Sequence, residues 1–228
     1  MKYIQKLPEN EPRSLIKHRA TSGSNYDDCN KEDIRTALLM EQGYICAYCM
    51  KRIEEGMEEV ENQGNKIYLY RTNIEHYIPQ SVNRELSMIF SNMLGVCNGN
   101  TGRPKHLHHC DKSRGNELLN IDPRNAACET FIQYSSNGEI KSANQQINKD
   151  LNDVLKLNIE ELVQERKRII DTASKRMQIK YKRKSGQNWS KSDLLKEIKF
   201  WSERKDNRFE PFCGAAVAYL KNKLSRIS

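Results

Sequence analysis

Four cysteines constrain this chain more than any other feature. Cys46-Ala47-Tyr48-Cys49 places two thiols three positions apart, and Cys97 and Cys110 form a second, widely split pair. A C-x-x-C knuckle can aim two sulfurs at one metal ion, and a second pair closes a tetrahedral site. His106, His108 or His109 could replace one cysteine, because zinc accepts imidazole as well. The full set is seven cysteines (29, 46, 49, 97, 110, 128 and 213). The odd count argues against a disulfide framework. A redox reading is weak, since no thioredoxin-like βαβ pattern surrounds the knuckle. Structural zinc is the favoured reading, and it explains how a polar, loop-rich region holds together.

The rest of the chain divides by charge. The net charge is +8 over 228 residues. Residues 1–144 hold 18 basic and 19 acidic side chains, whereas residues 145–228 hold 20 and 11. A basic excess favours a polyanionic partner, though many ordinary proteins are basic. The mean hydropathy is −0.84, and the longest apolar run, about 213–220, is far too short to span a membrane. The first nine residues contain no apolar signal core, so the expected address is the cytoplasm.

Three segments follow: an arm and helix over 1–43, a central region over 44–146, and a basic helical region over 147–228. The arm carries at most one short helix, near 14–20. Asn30 reads as the N-cap of a helix over 31–42, with Ile34, Leu38 and Leu39 at helical spacing and Gly43 as its stop. Residues 67–70, 74–78 and 92–97 read as strands. An acidic stretch, 54–61, precedes them. Residues 98–109 read as a loop, and 131–140 as a hairpin turning at Asn137-Gly138. From 147 to about 184 apolar residues recur every three or four positions, which predicts one long amphipathic helix. Two more helices follow, one around Leu194 to Trp201 and one opened by Pro211.

Two further groups carry chemistry. In Glu75-His76-Tyr77-Ile78-Pro79 a carboxylate can hold a divalent cation while the adjacent imidazole takes a proton from water. The bland alternative is a satisfied histidine on a strand. In Cys110-Asp111-Lys112-Ser113-Arg114-Gly115-Asn116 a carboxylate directly follows a zinc ligand. The bland alternative there is a helix-capping aspartate with solvated cations.

The order of these groups resembles the HNH (ββα-metal) endonucleases across about residues 44–120. The carriers are the C-x-x-C knuckle, Glu75-His76-Tyr77-Ile78-Pro79, Asn92 before Cys97, and Cys110-Asp111-Lys112-Ser113-Arg114-Gly115. The chain departs from the family pattern in its split second cysteine pair and in Asp111, where Asn or His is usual. The wider chain resembles the HNH subunit of Septu and retron-associated bacterial antiviral defence systems. That likeness rests on Met1-Lys2-Tyr3-Ile4, the knuckle, the Glu75–Pro79 string, His109-Cys110-Asp111-Lys112 with Arg114-Gly115-Asn116, and Asp122-Pro123.

The resemblance implies an α+β fold with a ββα-metal core, a structural zinc on Cys46, Cys49, Cys97 and Cys110, and a helical appendage. It implies His76 as general base and Asn92 as support for the strand and loop. Glu75 and Asp111 would hold a catalytic Mg²⁺ or Mn²⁺, with Ser113 as a further candidate near that ion. Lys112 and Arg114 would neutralise phosphate, on DNA or on RNA such as tRNA. It also implies an ABC-type ATPase partner, and in retron versions a reverse transcriptase with its RNA–DNA hybrid. The rival of another class is a non-catalytic zinc-knuckle adaptor that scaffolds the ATPase.

The basic cluster of Lys175, Arg176, Lys180, Lys182, Arg183 and Lys184 admits nucleic-acid guidance or a solvated helix face. A third reading docks the partner through Phe209, Phe212 and Tyr219. Only Tyr181 and Trp189 lie near the basic cluster, so a base-stacking platform is poorly supported.

Overall fold

The computed structural model describes residues 1–62, 64–182 and 189–227. The elements in chain order are α1 (Arg13–Arg19), α2 (Lys31–Gln42), β1 (Met57–Asn62), β2 (Asn65–Tyr70), β3 (Asn73–His76), β4 (Met93–Val96) and α3 (Asp111–Arg114). Then come β5 (Gln133–Tyr134), β6 (Ile140–Lys141), α4 (Gln145–Lys149), α5 (Glu160–Tyr181), α6 (Lys191–Ser202) and α7 (Cys213–Leu224). The fold is α+β. Its described strands form three separate two-stranded antiparallel sheets, β1–β2, β3–β4 and β5–β6.

Helix α2 forms where the sequence places it. The Asn30 side chain accepts from the backbone N–H groups of Glu32 and Asp33, at 3.2 and 3.3 Å. Gly43 ends the helix at φ +59°, a left-handed conformation open to glycine. Ile34, Leu38 and Leu39 are fully buried, and α2 packs on β3 and β4. Near its end Gln42 acts as a third strand. Its amide accepts from Gly95 N–H at 2.7 Å and donates to Gly95 O at 2.8 Å.

Two expectations change. The acidic stretch becomes strand β1, paired with β2 from Met57↔Tyr70 to Asn62↔Asn65. Its alternating exposed and half-buried positions match a strand with one wet face. The long C-terminal helix is broken: α4 runs into a π-turn at Asp150–Val154, and α5 starts only at Glu160. Lys156 at φ +48° reverses the chain there. Leu151, Leu155, Leu157 and Leu162 are all fully buried on both sides of the break. Their apolar spacing therefore continues through a bend that brings them to the same core.

One apolar cluster joins Met1 and Ile4, the four knuckle cysteines, Leu162, Leu194, Phe212 and Leu220. The three segments read from the sequence thus share a single core. A smaller cluster of Leu15, Cys29, Ile34, Leu38, Phe90 and Met93 seats the N-terminal arm against β4. Among the described residues no helix is long and apolar enough to cross a membrane.

Candidate metal and catalytic centres

The knuckle is a tight reversal. Ile45 and Arg52 bridge across it, Cys46 N–H donates to Lys51 O at 2.9 Å, and Met50 N–H donates to Cys46 O at 3.0 Å. Lys51 N–H then points at Cys49 Sγ, 3.4 Å away. Ala47 N–H binds Gly95 O at 3.1 Å, which docks the knuckle on β4. The strand β4 delivers Cys97. Loop 98–109 returns the chain to Cys110, with Gly99 at φ +60° and packed so closely on His109 O and Lys112 that a side chain there would collide.

The four sulfurs come together. Cys46 and Cys110 stand 3.8 Å apart, as do Cys49 and Cys97. All four ligand atoms lie within 4.8 Å of one another, and all four residues are buried. No other group of three or more His, Cys, Asp or Glu is so placed among the described residues. Close, dry, converging thiols are a donor set that a soft-to-borderline ion such as zinc satisfies. Of the three alternative histidines, His106 is exposed and His108 binds Arg103 O at 2.8 Å. His109 is fully buried with Nδ1 3.1 Å from Cys110 Sγ. The remaining cysteines, 29, 128 and 213, are free and buried.

The second centre shares its frame with the first. Strands β3 and β4 pair Glu75 with Leu94 and His76 with Met93, and α3 follows immediately after Cys110. Glu75 is buried. Its Oε1 accepts from Tyr48 OH at 3.0 Å and from Arg114 Nη1. Burial and the neighbouring Asp111 carboxyl push Glu75 up to about 8, against the pull of Arg114. A buried carboxyl beside a second one resists ionisation, which is the direction seen for Glu75. Burial, with Glu75 beside it, also keeps Tyr48 protonated, well above its ordinary range.

His76 faces other partners. Its Nε2 is 2.8 Å from Ser87 O, which can only accept, so Nε2 carries the proton. Nδ1 is then the basic nitrogen, and Gln80 Nε2 approaches it at 3.3 Å. Tyr26 of the N-terminal arm packs edge-on against the ring, centroids 4.6 Å apart. Burial lowers the His76 pKa; the Ser87 bond and Asp111 oppose it, and Lys31 adds to it. Asp111 acts electrostatically on both Glu75 and His76. Asn92 is buried and clamps the turn after β3. It accepts from Ile78 N–H at 2.8 Å and donates to Ile78 O at 3.0 Å. It touches the backbone two residues beyond His76, so its place is that of a positioning residue.

Arg114 is corrected. The sequence assigns it to phosphate, but its side chain is wholly buried. It donates to Tyr48 OH at 2.9 Å, to Tyr77 O at 2.6 Å, to Glu117 O at 2.8 Å and to Glu75. A guanidinium so enclosed is not presented to a polymer. Lys112 is exposed on α3, and Ser113 is half-buried beside it. Lys180 pairs with the buried Glu197 at 2.6 Å, as does Arg176. Lys182 is exposed at the left-handed end of α5. Arg183 and Lys184 lie outside the described residues. Of the aromatic docking candidates, Phe212 is buried, whereas Phe209 and Tyr219 are half-buried, with Tyr219 OH donating to Ser174 Oγ at 3.1 Å.

Tyr48 and Tyr26 were not legible as site residues. Tyr48 is one of two unspecified positions inside the knuckle, and Tyr26 sits in a polar arm with no periodic signal. Comparisons with models of known protein families and with curated proteins gave no match.

Proposed function

We propose that the chain is a metal-dependent nuclease of the HNH type, hydrolysing nucleic-acid phosphodiester bonds. The observation that carries this reading is His76. Its Nε2–H is held on a backbone carbonyl, burial lowers its pKa, and the Asp111 carboxylate acts electrostatically on both it and the neighbouring Glu75.

A neutral imidazole with a fixed tautomer is a general base for water. Nδ1 takes the proton, and the Ser87 carbonyl holds Nε2–H and steadies the imidazolium that forms. Glu75 and Asp111 fit a hard divalent ion, Mg²⁺ or Mn²⁺, because its charge would offset the burial and the neighbouring carboxyl that together raise Glu75. Such an ion supplies charge at the scissile phosphate and the leaving oxygen. Arg114 and Tyr48 hold Glu75 in place from the other side. Lys112 is the exposed cation nearest in sequence to Asp111 and the remaining candidate for phosphate contact. The cysteine centre would hold a structural zinc, and its ligand Cys110 would fix the direction of the adjacent Asp111.

The resemblance of the residue strings extends the proposal to an effector of a bacterial antiviral defence complex. Its partner would be an ABC-type ATPase, in some systems with a reverse transcriptase and its RNA–DNA hybrid, in the cytoplasm. The test is incubation of DNA and of total tRNA with the protein and with its ATPase complex, with Mg²⁺ and with EDTA. We expect metal-dependent cleavage of one polymer and a loss of about 10²–10⁴-fold in His76→Ala, with zinc content and folding retained. No metal-dependent product from either polymer would favour the adaptor reading.

A further inference from the structure

Arg166, on the second turn of α5, is an unusual residue for a protein interior. It is 1% exposed, and no carboxylate pairs with it among the described residues. Its Nε donates to Gly138 O at 2.5 Å, and Nη2 donates to Leu157 O at 2.7 Å and Asn158 Oδ1 at 3.0 Å. Carbonyl dipoles satisfy Nε and Nη2, but they leave a whole positive charge in the core. A buried charge without a counter-charge is strongly destabilising.

The cysteine centre is the complementary case. A divalent ion on four thiolates carries a net charge of about −2, here in a fully buried site. The same short segment ties the two together. Leu155 O accepts from Cys110 N–H at 2.9 Å, and Leu157 and Asn158, just beyond, hold the guanidinium. The electrostatics agree: burial pulls Arg166 down, while Tyr134, Cys49, Cys110 and, least of these, the exposed Glu139 pull it up.

The start of α5 is also fastened to both halves of the centre from outside. Glu161 binds Lys51, two residues past Cys49, at 3.4 Å. It binds Asn100 and Arg103, in the loop past Cys97, each at 3.2 Å. Gly138 packs so tightly on Val163 O and Lys167 N that the β5–β6 turn admits no side chain there. Helix α5 in turn packs on α7, and α7 on α6.

We propose that the metal–tetrathiolate centre is the counter-charge of Arg166, so that metal occupancy sets the docking of α5 and, through it, of the C-terminal helices. Arg166 is a positioning residue of the metal centre. It touches no ligand atom directly, and it acts through the field in the core and the 155–158 segment. The inference concerns the cysteine centre alone and stands whether or not the chain is a nuclease.

The test uses the full chain loaded with zinc. Zinc affinity is read by competition with a chromophoric chelator in the parent, Arg166→Met, Arg166→Lys and Lys167→Met. The last removes the same charge from the exposed face of α5. We expect a loss of roughly ten- to a hundredfold in Arg166→Met, a smaller loss in Arg166→Lys, and none in Lys167→Met. Hydrogen exchange on the parent, with and without zinc, gives a second reading. Amides of Glu160–Ala173 should lose protection when zinc is stripped. If Arg166→Met does not fold, Arg166→Lys carries the affinity comparison. Zinc affinity equal to the parent's in both Arg166 variants overturns the proposal. So does undiminished α5 protection in the stripped protein, or a parent that binds no zinc.

Discussion

The cysteine centre and the Glu75–His76–Asp111 centre are built on the same strand, loop and short helix, yet they are finished differently. Cys110 and Asp111 are adjacent in sequence, and each belongs to one of them. The first centre is closed: four identical soft donors converge in a dry pocket, and nothing else is needed to complete a tetrahedral site. The second is incomplete as it stands. It offers two carboxyls, one of them raised to about 8 by burial and crowding, and an imidazole turned to different partners. A closed set stabilises a fold, whereas an open set leaves room for a substrate.

The largest effect that would break this contrast is loss of a cysteine. Cys46→Ser should abolish zinc binding and cooperative folding of the region around β3 and β4. Near-UV circular dichroism and metal analysis would show it. If the variant melts like the parent, the closed centre is not structural. Next is Arg114→Met. Removing one partner of a buried pair should destabilise by about 3–5 kcal/mol, read by urea unfolding. A change near zero would mean that Arg114 faces solvent and substrate, as the sequence alone suggested.

The smallest effect sharpens the second centre through pH. Glu75 is raised to about 8 in the fold from an ordinary 4.5. The folded state then holds a proton that the unfolded chain has released. Its contribution to stability is fully present below about pH 4.5 and is lost as pH rises through about 8. Urea midpoints of zinc-loaded protein at pH 5, 6.5 and 8 should therefore fall less steeply in Glu75→Gln than in the parent. Added Mg²⁺ should flatten the parent's slope, since it binds the ionised carboxyl. Identical slopes in parent and variant would refute the raised pKa of Glu75.

Parts of this were legible in the residues. The α2 helix, its Asn30 cap and its Gly43 stop follow from local chemistry, because each contact lies within a few positions along the chain. The β5–β6 turn at Asn137-Gly138 is equally local. The long C-terminal helix was misread because Leu151, Val154, Leu155, Ile159 and Leu162 keep helical spacing through the bend. Periodicity reports which residues are buried and not whether the backbone between them turns. The acidic strand β1 hid for the opposite reason: its glutamates lie on a solvated ribbon and carry no apolar alternation strong enough to mark it.

The amino-acid sequence by itself determined which side chains can bind a soft ion, where local caps start and stop α2, and which positions are apolar. The tertiary structure alone decided where charge is buried. Arg114 looks like a surface cation in the sequence and becomes a core residue because Tyr48 and Glu75, remote in the chain, meet it. Arg166 looks like one of many basic residues on a helix and is enclosed by Gly138, Leu157 and Asn158. The physical reason is the same in both. The cost of burying a charge depends on partners at hydrogen-bond distance, and only the folded chain brings those partners together.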